Sequence, residues 1–480
     1  MDANDAAPRG VFPLLPGVAV GLSLAESAPH ASVGRPPLRR VFLECTSTRE
    51  SRYNTGIQRA GRNLVNESVG VPGPWRCTPI FYNGRHLEEV DELPLRAAPW
   101  VQRANSTDLL RRAFHRVRDR VLRVIPGEAA GEVLHSQQLE YSLRRAVHGT
   151  HNALRLLRSL GRPTSKRIEF EAHDVLVLLD PAWTVDLSRE LQRARAAGAE
   201  VWVVVNDLIP IVHPELAPEG SPILMDKWLR RVLPHTSAML GISRTVADEL
   251  RVHLARIADS VPRIDYFYFG AGLDGDELES LRLAEVERAC DSSGGTVYLT
   301  VGTLEPRKNH PLILDAFDRL WAEGVNTRLV IFGRLGWRSD ALARRIRTHR
   351  EFGRRLFWFE AGSDMELDYA YRHVTALVVA SRCEGFGLPL VEAMQYGLPV
   401  LASDIPVFRE IGSDYPMYFD LEEPGRLEAT IERFDEAITA GMTVRQAPRR
   451  WLTWAESARM LLDKVTREAG EELQSSTKRS

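Results

Sequence analysis

"ALVVASRCEGFGLPLVEAMQYG", residues 376–397, contains a strand, a turn and the start of a helix in direct succession. The β-branched run at its beginning predicts a buried strand, and the two glycines of the turn allow the backbone to approach a ligand closely. Pro389 occupies a favourable first position of an apolar helix. The free N–H groups at such a helix start favour an anion such as a phosphate.

Two carboxylates flank this turn. Glu384 precedes it, and Glu392 follows eight positions later, about one turn inside the predicted helix. Carboxylates accept hydrogen bonds from neutral hydroxyls. A phosphate site with a hydroxyl-binding group on each side describes a nucleotide sugar. The alternative interpretation is a helix start that the two glutamates merely cap.

A pair of cations lies upstream in "GTLEPRKNH", residues 302–310. This stretch follows a predicted strand, so it places Arg307 and Lys308 at the sheet edge that faces the same cleft. Adjacent cations there would neutralise a diphosphate and stabilise it as a leaving group. The alternative is a solvated surface pair, and the nearby glutamate motif favours the functional interpretation.

Composition excludes several classes of protein. With 480 residues and 44% hydrophobic residues, the chain is long enough for two α/β domains. A formal net charge of −2 and the lack of a zinc-finger or RNA-binding signature argue against a nucleic-acid partner. The four cysteines show no CxxC spacing, which indicates buried thiols in a reducing cytosol. No apolar run reaches the length of a membrane span, so we expect a cytoplasmic protein.

No metal site is expected. The histidines show no ligand spacing. The "DGD" at residues 274–276 resembles a metal-binding DxD motif, but it lies between the predicted domains and is interpreted as a solvated turn.

Short apolar strands alternate with helical stretches along the chain, which predicts the α/β class with two doubly wound parallel sheets facing across a cleft. The boundaries are a disordered tail at 1–37, a first Rossmann-like domain at 38–289 and a second at 290–450. A helix at 451–470 would return to the first domain, and a polar tail would follow at 471–480. The predicted strands begin at Arg40, Val175, Val201, Ala238, Ile264, Thr296, Arg328, Leu356, Ala376 and Pro399.

A basic segment interrupts the first domain. Residues 103–167 contain 14 Lys/Arg and 5 Asp/Glu, a net charge of 14 − 5 = +9, with apolar residues at helical spacing. One interpretation is a helical hairpin with a solvated basic face. The other is peripheral contact with the anionic inner face of the cytoplasmic membrane, or with a diphosphate-linked lipid.

Together these motifs resemble a known family. The stretch 381–411, with "VGTLEPRKNH" (301–310) and "VIFGRLGW" (330–337), is similar to retaining GT-B glycosyltransferases of the type-4 group. Within that group it is most similar to bacterial mannosyltransferases and rhamnosyltransferases that build O-antigen and exopolysaccharide chains. The first domain matches more loosely, through "NTGIQRAGRNL" (54–64) and "VNDLIPIVHPEL" (205–216).

The resemblance implies roles for the charged residues. Glu384 would bind hydroxyls of the donor sugar, and Glu392 the ribose of the nucleotide. Arg307 and Lys308 would clamp the diphosphate, and Asp207 would face the reacting sugar or the acceptor. The nucleotide sugar, GDP-mannose by this resemblance, is a substrate, so no cofactor is expected. The acceptor would be a glycan or a lipid-linked oligosaccharide.

The resemblance also implies backbone roles. Amides around three residues of the glycine turn would hold the sugar and the diphosphate: Phe386, Gly387 and Leu388. The loop at Gly333 and the turn ending at Ser363 would surround the base, and Gly56 would let the first domain approach the diphosphate. Two positions depart from the family pattern: Thr303 stands where many relatives have arginine, a charge that Arg307 replaces, and Asn206 stands where many have histidine.

The implied mechanism is front-face substitution with retention and without a metal; no general base is evident. Two alternatives remain open from the sequence. One is a nucleotide-sugar epimerase of the same two-domain architecture. The other is a non-catalytic nucleotide-sugar sensor or scaffold in a polysaccharide assembly complex.

Overall fold

The computed structural model describes residues 38–50, 56–90, 167–180, 183, 185–273, 283–360, 362–442 and 445–467. The tails expected at 1–37 and 471–480, and the turn at 274–276, lie outside this part of the chain. So does the basic segment 103–167, apart from Arg167. No helix in the described residues is long and apolar enough to cross a membrane.

The first lobe is built on a sheet that has seven strands in the described residues, in the order β3-β2-β1-β4-β5-β6-β7. All neighbouring strands are parallel except β2 and β3. The strands are β1 (Arg39–Glu44), β2 (Trp75–Tyr82), β3 (Leu87–Glu89), β4 (Val175–Leu178), β5 (Glu200–Val205), β6 (Ala238–Gly241) and β7 (Arg263–Tyr266).

The helices of this lobe connect the strands. Within the described residues they are α1 (Thr46–Glu50), α2 (Gly56–Gly70), α3 (Ser188–Ala196), α4 (Ile209–Val212), α5 (Ser221–Val232) and α6 (Arg244–Ile257). The helix α7 (Leu283–Cys290) precedes the second lobe.

The second lobe contains a sheet of six parallel strands within the described residues, in the order β10-β9-β8-β11-β12-β13. The strands are β8 (Thr296–Val301), β9 (Thr327–Phe332), β10 (Leu356–Phe359), β11 (Ala376–Val379), β12 (Val400–Ser403) and β13 (Met417–Phe419). The helices are α8 (His310–Ala322), α9 (Asp340–Arg347), α10 (Asp364–His373), α11 (Leu388–Gln395), α12 (Pro406–Gly412) and α13 (Arg426–Thr439).

Both faces of the second sheet are buried. Alternate residues of one strand enter different apolar clusters: Leu377 and Val379 join the larger core, whereas Ala376 and Val378 join a separate core beneath α8 and α13. Side chains alternate between the faces of a strand, so continuous apolar runs are the pattern of a parallel sheet with helices on both sides. This confirms the predicted fold class of two doubly wound Rossmann-like domains.

The last described helix, α14 (Trp454–Thr466), packs on α2 of the first lobe. An aromatic cluster lies where the chain passes between the lobes. The centroid of the Phe386 ring lies 5.6 Å from the ring centroid of Phe269 and 5.9 Å from that of Trp451. The indole N–H of Trp451 donates to the carbonyl of Phe269 at 2.8 Å. The glycine turn of the second lobe is therefore packed directly against the connection between the lobes.

The strand order reverses at one point in each sheet, between β1 and β4 in the first and between β8 and β11 in the second. Ligands of open α/β sheets bind outside the carboxyl ends of the strands at such points. The loops after β8 and β11 carry the cation pair and the glutamate turn predicted from the sequence.

Candidate functional site

The two loops at the reversal point of the second sheet are joined. The loop after β8 carries Arg307 and Lys308, and the loop after β11 carries Glu384. The backbone N–H of Arg382 donates to the carbonyl of Arg307 at 2.8 Å. Residues from two motifs that are far apart in the sequence therefore lie in one place.

Glu384 forms the centre of a cluster of charges. One carboxylate oxygen pairs with Arg307 and the other with Lys308. The hydroxyl of Ser381 donates to the second oxygen at 2.8 Å, and Arg307 also pairs with Glu305 at 2.7 Å. The Glu384 side chain is 7% exposed. Guanidinium and ammonium groups have more N–H donors than these pairs require, so the cluster fixes the two cations and leaves donors for an anion.

The charges of this cluster are stable at neutral pH. Burial works against ionisation of Glu384, but the charges of Arg307 and Lys308 outweigh it and lower its pKa to about 2. Burial likewise works against the charge of Arg307, and the carboxylates of Glu384, Glu305 and Asp207 outweigh it and raise its pKa. The guanidinium of Arg307 and the carboxylate of Glu384 are therefore charged together.

His310 opens α8 directly behind the cation pair and is 3% exposed. Burial, together with the charges of Lys308 and Arg307, lowers its pKa to about 3. Among the described residues, neither of its ring nitrogens has a hydrogen-bond partner. The imidazole is therefore neutral and adds no charge to the cluster.

The glycine turn contacts the first lobe. A Cβ atom on Gly385 would overlap the carbonyl oxygen of Asn206 and lie 3.2 Å from the Cβ atom of Asp207. The Ser243 hydroxyl of the first lobe donates to the carbonyl of Gly385 at 2.8 Å. Gly387 has a φ of 101°, in the left-handed region, and immediately precedes α11. Glycine is thus required at Gly385 by the close approach of the two lobes and at Gly387 by its backbone conformation.

Asp207 lies at the end of β5, across from the cation cluster. Its carboxylate accepts a hydrogen bond from the N–H of Ile209 at 3.1 Å. Burial raises its pKa, and the charge of Arg307 partly offsets this effect. A pocket of about 130 Å³ adjoins Asp207. Its lining residues are Ile57, Trp183, Val204, Val205, Asn206, Asp207, Met225 and Trp228.

Glu392 is buried against the first lobe. Its carboxylate pairs with Arg59, which lies in the first turn of α2, and accepts a hydrogen bond from the hydroxyl of Tyr371 at 2.8 Å. Gly56, at the start of α2, faces the start of α11: a Cβ atom on Gly56 would lie 3.4 Å from Cδ1 of Leu388. The N-termini of these two helices therefore face each other across the cleft.

The loops assigned to the base lie further along the same sheet edge. A Cβ atom on Gly333 would overlap the carbonyl oxygen of Gly302, so the loops after β8 and β9 touch through their backbones. The side chain of Thr303 packs near Gly336, where an added Cβ atom would lie 2.8 Å from the threonine methyl. Ser363 caps α10 by accepting a hydrogen bond from the N–H of Glu366 at 3.2 Å. Its hydroxyl is thus used within the protein.

The structure adds residues that the sequence analysis did not single out. Arg59 and Tyr371 hold Glu392, and Ser243 joins the glycine turn to the first lobe. On α6, burial and the charge of Asp207 raise the pKa of Glu249 to about 7. Arg59 lies inside the quoted stretch 54–64, where a cation in the first turn of a helix next to a glycine loop is the signal that could have found it.

Among the described residues, no group of three or more His, Cys, Asp or Glu side chains is arranged to hold a metal ion. All four cysteines are free thiols.

Two Rossmann-like lobes with their strand-reversal points facing one cleft define the GT-B fold class. A solved structure of similar fold is sucrose-phosphate synthase from Thermosynechococcus elongatus, with a TM-score of 0.52 and 16% identity over 92% of this chain and 98% of that one. Residues 291–445 match the sequence model described as "Glycosyl transferases group 1". The match spans the second lobe.

Two similar curated proteins are mannosyltransferases. The chain is 34% identical over 302 residues to the serotype-specific mannosyltransferase WbdA of Escherichia coli, covering 61% of this chain and 37% of that protein. It is also 34% identical over 231 residues to O-antigen chain mannosyltransferase B of Escherichia coli, covering 47% of this chain and 58% of that protein. The match thus spans a little over a third of WbdA.

Proposed function

We propose that the protein is a retaining glycosyltransferase that moves a hexose, mannose or a related deoxyhexose, from a nucleotide sugar to a growing lipid-linked or surface polysaccharide. The preferred donor in this proposal is GDP-mannose. The names of the similar proteins, mannosyltransferases of O-antigen synthesis, support the sugar and the type of acceptor.

One observation carries the proposal: Glu384 lies between Arg307 and Lys308 at the reversal point of the second sheet, opposite Asp207 of the first lobe. A fixed pair of cations suits a diphosphate, and a buried carboxylate beside it suits sugar hydroxyls. The N-terminus of α11 adds backbone N–H groups without intrahelical partners. This combination favours a sugar diphosphate over either a free sugar or a free phosphate.

The chain's own residues account for each part of the reaction. As the bond between the sugar C1 and the diphosphate oxygen breaks, Arg307, Lys308 and the amides at the start of α11 stabilise the charge that develops on the leaving group. The acceptor oxygen forms its bond to C1 on the same face. Its proton passes to an oxygen of the departing diphosphate, so no protein base is required.

The acceptor is expected to enter from the pocket beside Asp207. Two indole rings, those of Trp183 and Trp228, are among its lining residues. Indole faces and a nearby carboxylate suit a sugar, which presents both C–H surface and hydroxyls. Asp207 would then orient the accepting hydroxyl toward the cation cluster.

In this proposal the protein works in the cytoplasm, and residues 103–167 contact the anionic inner face of the cytoplasmic membrane. The net charge of +9 in that segment supports the contact. Flotation with anionic liposomes tests it: the full chain should float at physiological salt, and a chain that stays at the bottom contradicts the contact.

A donor screen tests the activity. The full chain is incubated with GDP-, UDP- and dTDP-sugars, with and without a mannose-terminated oligosaccharide acceptor, and products are identified by mass spectrometry and by the anomeric configuration. Transfer from GDP-mannose with retention is expected. Conversion of a UDP-sugar without an acceptor would instead support an epimerase, and nucleotide binding without turnover would support a sensor.

A further inference from the structure

The ion pair between Arg59 and Glu392 joins the two lobes inside the cleft. Arg59 belongs to α2 of the first lobe and Glu392 to α11 of the second. The arginine side chain is 12% exposed and that of the glutamate 2% exposed. Burial opposes the charge of Arg59, and the charges of Glu392 and Asp364 outweigh it, so its pKa lies above the usual value. The guanidinium is therefore charged, and the pair is largely removed from water.

Both oxygens of Glu392 are engaged. One pairs with Arg59, and the other accepts the Tyr371 hydroxyl at 2.8 Å. The ring of Tyr371 is itself held by stacking on Tyr396, with centroids 5.3 Å apart. A ribose diol binding to Glu392 would need the same carboxylate, and the long side chain of Arg59, which has several rotatable bonds, is the partner that can leave. The diol and the guanidinium thus compete for Glu392.

A guanidinium that loses Glu392 needs a new anion, because a buried charge without a partner is strongly unfavourable. Arg59 lies in the first turn of α2, whose N-terminus at Gly56 faces the start of α11 at Leu388. Two helix N-termini facing each other favour an anion between them. Among the described residues, the Nε–H of Arg59 is buried without a hydrogen-bond partner, so this guanidinium still has a donor to give.

We propose that Arg59 is a donor-binding residue that exchanges partners: the ribose diol takes Glu392, and the guanidinium moves to the diphosphate of the same donor. This inference rests on the proposed function, since it assigns the ribose to Glu392 and the diphosphate to the facing helix starts. The exchange of partners makes the binding of the ribose and the binding of the diphosphate depend on each other. A nucleoside without phosphates has to break the ion pair and gives Arg59 no anion in return.

The test compares the binding of a nucleoside diphosphate with the binding of the nucleoside alone, in the wild type and in one variant. Binding of GDP and of guanosine is measured by calorimetry for the wild type and for Arg59→Met, with UDP and uridine in parallel. Removal of the cation should weaken the binding of the diphosphate by about tenfold or more, because a charge-assisted contact is lost. It should strengthen the binding of the nucleoside several-fold, because its competitor for Glu392 is gone. The two effects have opposite signs.

Two further variants complete the test. Arg59→Lys keeps the charge and should restore most of the preference for the diphosphate. Glu410→Gln is the matched control, since Glu410 makes another contact between the lobes by accepting from the N–H groups of Arg244 at 2.7 Å and Thr245 at 2.8 Å. It should leave the ratio of the two affinities unchanged.

The possible failures can be told apart. If the wild type binds GDP and Arg59→Met changes both affinities by the same factor, or changes only the melting temperature, Arg59 is a structural residue and the exchange is wrong. If the wild type binds neither nucleotide, the exchange and the proposed function are both wrong.

Discussion

At the level of single residues, the close neighbours of Glu384 determine its charge. Three groups act directly on its two oxygens: Arg307, Lys308 and Ser381. Its pKa of about 2 lies well below the usual 4.5 for a glutamate. The carboxylate thus stabilises the folded protein at every pH at which it is ionised in the folded state. It also fixes the two cations on which the proposed reaction depends.

Glu384→Gln should reduce transfer by about 10²-fold or more, because the cations lose their fixed positions beside the leaving group. It should also lower the free energy of unfolding at pH 7 by about 3 kcal/mol, since Lys308 loses its carboxylate partner and Arg307 is left with Glu305. The depressed pKa sets the sign of the pH dependence: the stabilisation is complete above pH 4.5 and is lost as pH falls toward 2.

Urea unfolding at pH 7 and at pH 3, together with the transfer assay, measures both effects. The control is Glu423→Gln, which breaks an exposed ion pair with Arg426 and should change stability by less than about 1 kcal/mol. Full transfer by Glu384→Gln would contradict the role assigned to the carboxylate.

Glu249 should show the opposite pH dependence. Its pKa is raised to about 7 by burial and by Asp207, so the unfolded chain releases the proton at a lower pH than the folded protein. The folded state therefore loses stability as pH rises from 4.5 to about 7. Glu249→Gln should be more stable than the wild type at pH 8, by about 1–2 kcal/mol after allowing for partial exposure, and equal to it at pH 4. Melting curves of the wild type and of Glu249→Gln at pH 8 and pH 4 measure this. A difference in stability between the two proteins that is the same at both pH values would be inconsistent with the raised pKa.

The sequence could identify some site residues and not others. Glu384, Arg307 and Lys308 lie in motifs whose residue types already suggest their chemistry, and the structure brings them into one cluster. Arg59 and Glu249 act through contacts with residues far away in the sequence. Those contacts depend on how the lobes and helices are placed, and local pattern carries no information about this.

At the level of helices and strands, the apolar runs predicted ten strands that agree with the structure to within two residues at their starts, from β1 to β12. Three strands were missed: β2, β3 and β13. β2 contains Arg76, Thr78 and Pro79, which break the apolar run, and residues 76–78 of this strand are exposed or half-buried. The other two have three residues each, too few to show a period.

Gly385→Ala should keep each lobe folded and reduce transfer by about tenfold or more, since a misplacement of even 1 Å at a reacting centre can cost that much. The added methyl would overlap the backbone of Asn206 in the other lobe. Gly294→Ala is the control, because a Cβ atom there meets nothing within 4 Å. Transfer rates and far-UV spectra of the two variants are compared. A fully active Gly385→Ala enzyme would show that the close approach of the lobes is not needed.

At the level of the whole molecule, the chain closes the first lobe with its last described helix. α14 buries Leu461 completely in the core that contains Leu64 and Val65 of α2. The capping box of Thr453 and Glu456 starts this helix, and Lys464 pairs with Asp265 of β7. The stability of the first lobe therefore depends on residues that follow the second lobe in the sequence.

Leu461→Ala should lower the free energy of unfolding by about 2–5 kcal/mol through the cavity that it leaves. Arg459→Ala on the exposed face of the same helix should change it by less than about 0.5 kcal/mol. Urea unfolding followed by tryptophan fluorescence measures both. Equal effects of the two substitutions would show that α14 does not complete the core.

The position of α14 also has a consequence for synthesis on the ribosome. The described strands of the first lobe have all been synthesised once Tyr266 is made, yet the helix that covers α2 is synthesised only after the whole second lobe. Until then the nascent chain exposes the apolar side of α2, which invites association with other chains. Chaperone demand during translation should therefore last until residues 454–466 leave the exit tunnel, and a chain stalled before that point should be prone to aggregate.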